Sequence, residues 1–120
     1  MRMPTTLLAF AFAATIASPA GAHAFLDHAS PAVGSTVHAP PSQVTLRFTQ
    51  KLEPAFSTAQ VSDSAGKRVD GADARVDDGD PTVLTVSVPQ LAPGRYQVKW
   101  RVLSVDTHVT EGDYSFDVAR

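Results

Sequence analysis

The chain has 120 residues, no cysteine, and twelve acidic against ten basic residues, for a net charge of −2. Without cysteine there is no disulfide framework and no thiolate site, which excludes blue copper, iron–sulfur and structural Cys zinc. The mildly acidic balance argues against nucleic acid and anionic membranes as partners.

Residues Met1 to Ala22 read as a signal peptide: Arg2 as a positive start, an apolar run from Leu7 to Ala17, and the small residues Ala20-Gly21-Ala22 at the cut. The run is about eleven residues, short of the roughly 20 that cross a bilayer as a helix, so cleavage is expected rather than anchoring. A single arginine gives no support to twin-arginine export. The expectation is a soluble, periplasmic mature chain, residues 23–120, that is not embedded in a membrane. Both methionines, Met1 and Met3, fall in the leader. The mature chain therefore has no sulfur at all, and a soft Cu(I) pocket is excluded.

Cleavage after Ala22 would make His23 the first residue, with a free α-amine and a ring Nδ1 that can close a chelate on one metal ion. An internal histidine cannot do this, because its backbone nitrogen is an amide. Ala22-His23-Ala24 also satisfies the small-x-small rule and would leave Phe25 first; the earlier cut is the preferred reading.

Beyond the leader the sequence alternates short apolar strands with turn residues and shows no helical periodicity. Strands are expected over Ala24–Ala29, Gln43–Thr49, Thr58–Ser62, Val69–Val76, Val83–Val88, Arg95–Ser104 and Asp113–Val118, with one helical turn near Lys51–Ala55. Breakers such as Ala39-Pro40-Pro41, Ser64-Ala65-Gly66 and Ala92-Pro93-Gly94 separate them. Tyr96, Val98, Trp100 and Val102 share one face, as do Tyr114, Phe116 and Val118, the pattern of half-buried antiparallel strands. About seven strands in one domain of this size imply an all-β, Greek-key, Ig-like β-sandwich.

Four histidines are present: His23, His28, His38 and His108. If strand geometry persists through Asp106-Thr107-His108, Asp106 and His108 point to the same side. With the amine and ring of His23 they form a set of three nitrogens and one oxygen, which in a tetragonal plane favours Cu(II). Trp100 reads as core, His28 and His38 as surface or turn residues, and Asp77, Asp78 and Asp80 as a solvated turn without Ca²⁺-loop spacing. Arg47, Lys99 and Arg101 read as a charged sheet face, and Glu53 and Glu111 as neighbours of the site.

The run Gly94-Arg95-Tyr96-Gln97-Val98-Lys99-Trp100-Arg101-Val102-Leu103-Ser104-Val105-Asp106-Thr107-His108 resembles the signature of the CopC/PcoC family of periplasmic copper-resistance proteins. His23-Ala24 at the mature start, Ser30-Pro31-Ala32-x-Gly34-Ser35 and a strand ending in Phe48 match as well. The resemblance implies a cupredoxin-like sandwich binding one Cu(II) ion per mature chain, with His23, Asp106 and His108 as ligands. It resembles the members that lack a methionine-rich Cu(I) site. Gln50 stands where members often carry Glu, and Val109 replaces the usual proline after Asp-Thr-His.

The function so implied is a non-catalytic, monomeric Cu(II) carrier or buffer in copper resistance, with an inner-membrane copper transport protein as a candidate acceptor. Two other readings stay open. One is a copper monooxygenase built on an amino-terminal histidine, against which the anionic Asp106 argues because it favours Cu(II) over Cu(I). The other is a metal-free sandwich that mediates protein contacts.

Overall fold

A computed structural model describes residues 24–120; the leader and His23 lie outside the described residues. Eight strands follow in order: β1 Leu26–Ser30, β2 Thr36–Val37, β3 Gln43–Phe48, β4 Thr58–Asp63, β5 Arg75–Val76, β6 Val83–Ser87, β7 Gly94–Leu103 and β8 Val109–Val118. They form two four-stranded sheets, ordered β1-β3-β6-β5 and β2-β8-β7-β4. Only β5–β6 and β7–β8 pair as sequence neighbours; elsewhere the chain crosses between sheets, as in a Greek-key sandwich.

Alternation builds the core. Val44, Leu46 and Phe48 of β3, with Leu84 and Val86 of β6, face Ala59 and Val61 of β4, Tyr96, Val98 and Val102 of β7, and Tyr114, Phe116 and Val118 of β8; all are buried. Each large apolar side chain so buried contributes about 1.5–3 kcal/mol, which is what a disulfide-free domain has to rely on. The two tyrosines keep their hydroxyls bonded at the core's edge, Tyr96 Oη donating to Ala92 O at 2.5 Å and Tyr114 Oη to Pro31 O at 2.9 Å. Burial raises the Tyr114 phenol above its usual range.

Three local expectations are corrected. The strand expected over Val69–Val76 shrinks to Arg75–Val76, because Asp70 diverts the chain. Its carboxylate, wholly shielded from solvent, accepts from Val61 N and Ala72 N at 2.8 Å and from Arg68 Nε at 2.8 Å, doing with a side chain what a ladder would do with carbonyls. Ala72 then takes a left-handed φ of 54°, which ends any strand there. Next, β2 was not anticipated: two residues, pairing parallel with Asp117 and Val118, are too few to alternate. Finally, β8 begins at Val109 rather than Asp113.

Trp100 lies opposite Ala59 on one side and Gly112 on the other. A Cβ on Gly112 would overlap the indole ring. The ring also meets Phe48 edge-on at 6.1 Å and Tyr114 at 6.3 Å. Trp100 is half-buried and packs against the core, and it fills space that a side chain at 112 would otherwise occupy. The helical turn expected near Lys51–Ala55 is a 3₁₀ turn, Pro54–Phe56.

Candidate metal centre

The β7–β8 hairpin closes through Ser104 to His108. These residues are a turn, not an extension of the strand. Ser104 N donates to His108 O at 3.0 Å, Thr107 N donates to Ser104 O at 2.9 Å, and Thr107 adopts a left-handed φ of 71°. The expected juxtaposition of Asp106 and His108 is present, produced by this turn rather than by strand alternation. Asp106 Oδ1 lies 3.4 Å from His108 Nδ1, and the two side chains are 40% and 45% exposed. Both groups thus face solvent while remaining close enough to converge on one small ion.

The turn is tied to the rest of the sandwich. Ser104 is fully buried and bridges to Leu52, and Val105 N donates to Lys51 O at 3.0 Å. The Ser104 hydroxyl bonds to Asp106 Oδ1. That bond, with a smaller contribution from His108, outweighs slight desolvation and holds the Asp106 carboxyl below the usual carboxylate range. Asp106 is consequently a charged oxygen donor throughout the neutral range.

The start of the described chain arrives at the same end of the molecule. Ala24 is fully buried, and its carbonyl accepts from Thr110 Oγ1 at 2.7 Å, two residues beyond His108. Phe25 N donates to Thr49 Oγ1 at 3.0 Å and Thr49 N returns a bond to Phe25 O at 2.9 Å. Gln50, half-buried, lies between Thr49, which holds the chain start, and Lys51, which holds the turn.

Other nominated residues lie elsewhere. His28 is exposed on β1 opposite Arg47, beside a bulge, and His38 follows β2 near Val118, at the opposite end of β8 from His108. Glu111 pairs with Arg101 at 2.9 Å on the outer face of its sheet; Glu53 is the exception, staying beside the turn with its backbone N–H donating to Leu103 O at 2.8 Å, one residue before Ser104. Asp77 and Asp80 cap their own turn, accepting from Asp80 N at 2.8 Å and Thr82 Oγ1 at 2.7 Å. Among the described residues no three His, Asp or Glu side chains cluster to hold a metal; of the nominated ligands only Asp106 and His108 lie in that range.

Two residues that shape the site were not singled out in the sequence. Thr110 holds Ala24, and nothing in the spacing advertises a contact across 86 residues. Ser104 was legible in principle, since Ser-x-Asp is a spacing at which a hydroxyl can reach a carboxylate across a turn.

Residues 26–119 match the family model for the CopC domain. Protein YobA of Escherichia coli K12 is 38% identical over 98 residues, spanning 81% of this chain and 79% of the relative. Copper resistance protein C of Xanthomonas campestris pv. juglandis is 36% identical, with 88% of each chain covered. The crystal structure of CopC from Methylosinus trichosporium OB3b superposes with a TM-score of 0.76 at 45% identity, covering 81% of this chain and 94% of that one. Among the described residues no helix is long and apolar enough to cross a membrane.

Proposed function

The chain belongs to the CopC domain family, and from that membership we propose that its exported form is a periplasmic Cu(II)-binding protein that carries or buffers the ion without catalysis. His23, freed by cleavage after Ala22, supplies its α-amine and ring; Asp106 supplies a carboxylate oxygen and His108 an imidazole. The observation that carries this reading is the Thr110–Ala24 hydrogen bond of 2.7 Å, which anchors the residue after His23 two positions from His108. The donor chemistry fits. Nitrogen and charged oxygen without sulfur suit Cu(II), and Asp106 stays ionised beside His108.

A half-exposed pair also suits an ion that must be handed on, because an incoming ligand can reach it. The same anionic oxygen stabilises Cu(II) against reduction, which disfavours an oxygen-activating enzyme. Competition titration with Cu(II), with electron paramagnetic resonance as a second readout, tests the proposal on the mature protein. Asp106→Ala and His108→Ala should each weaken binding by at least about 100-fold, beyond the 10- to 100-fold typical of hydrogen-bond partners of ligands. Variants that bind as tightly as the wild type would refute it.

A further inference from the structure

The hydroxyl of Ser104 lies within reach of three groups: Asp106 Oδ1, His108 O at 3.2 Å and His108 N at 3.3 Å. A serine hydroxyl has one proton and two lone pairs, so it cannot donate to both oxygens at once. The ionised carboxylate is the stronger acceptor and takes the proton, while the His108 amide donates to the hydroxyl oxygen. The serine is itself tied into the fold. It is fully buried, its N–H is bonded to His108 O, and its backbone bridges to Leu52. Asp106, by contrast, is 40% exposed on a turn and without this bond would exchange rotamers in water.

We propose that Ser104 is a positioning residue for metal binding: by bonding Oδ1 it fixes the Asp106 carboxylate beside His108, whose Nδ1 lies 3.4 Å from that oxygen, for an ion the two side chains share. The inference rests on the Cu(II) reading above. Its physical basis is pre-organisation. A ligand held in place before the ion arrives loses less rotamer freedom on binding. The rival role, closing the turn through the His108 backbone, would act on His108 and not on Asp106.

A double-mutant comparison separates the two. Cu(II) affinity is measured by competition titration on the mature chain carrying Ser104→Ala, Asp106→Ala, or both. Ser104→Ala alone should weaken binding by about 10- to 100-fold. In the Asp106→Ala background its effect should shrink to within about two-fold, since no carboxylate remains to be positioned. An equal loss in both backgrounds would assign Ser104 to turn closure and overturn the proposal, as would no loss from Ser104→Ala alone.

If Ser104→Ala does not fold, Ser104→Cys, whose thiol is only a weak donor, takes its place in the same comparison with the same outcomes expected. A wild type that binds no Cu(II) refutes the underlying reading and the inference together. A wild type that binds while Ser104→Ala is silent refutes the inference alone.

Discussion

Asp106 and an α-amine answer acid differently, and the difference sets how the site would release its ion. Asp106 is held below the usual carboxylate range by Ser104 and, less strongly, by His108, so mild acid does not discharge it. A free α-amine has an ordinary pKa of about 7.7–8.0 and must lose its proton to bind metal. Cu(II) affinity should therefore fall about tenfold per pH unit below about 8, for one displaced proton. Competition titration between about pH 6 and 8.5 checks this. Asp106→Asn should lower affinity at every pH in that window and leave the slope unchanged, because the carboxylate is not the group being titrated. A pH-independent affinity would show that the amine is not a ligand.

Within the elements, stability is set where side chains break the regular pattern. Gly112→Ala forces a methyl into the Trp100 ring. It should cost about 1–3 kcal/mol, as overpacking does, and shift the tryptophan emission; urea unfolding followed by fluorescence measures both. Asp70→Ala strips the Val61 and Ala72 amides and Arg68 of their shared acceptor. A loss of about 2–3 kcal/mol is expected, read as a lower urea midpoint. These same places mark where the sequence was hard to read. Long strands with clean alternation, β7 and the second half of β8, were legible because every second residue is apolar. The first half of β8 was not, since Thr110 bonds the chain start and Gly112 yields its space to Trp100, which leaves no apolar residue inward. The Asp70 segment looked like a strand because Val69 and Val76 are apolar, while the carboxylate that bends it away acts through tertiary contacts. The closeness of Asp106 and His108 was expected from strand spacing, but a turn produces it. Thr110 reaches the chain start through a contact that only the fold creates.

Among the described residues five aspartates are more acidic than usual, chiefly through hydrogen bonds. Ser87 acts on Asp73, Thr82 on Asp80, Ser104 on Asp106 and Arg95 on Asp117. Burial pushes Asp70 upward, but Arg68 and the Val61 and Ala72 amides together outweigh it. A depressed folded-state pKa adds stability above the ordinary carboxylate value of about 3.9, and that stability is lost as pH falls through the depressed value. The melting temperature should thus decline steeply below about pH 4, as scanning calorimetry will record; a melting temperature unchanged into stronger acid would contradict the hydrogen-bonded network. At this scale the proposed metal site would be a product of processing. The fold brings Asp106, His108 and the Ala24 anchor to one end, and export would add the amine. The most direct test compares Cu(II) affinity for a chain beginning at His23 with one that retains Ala22 ahead of it. Binding at least about 100-fold tighter for the His23 start is predicted, because the extra residue turns an amine ligand into an amide; equal affinity for the two would contradict it.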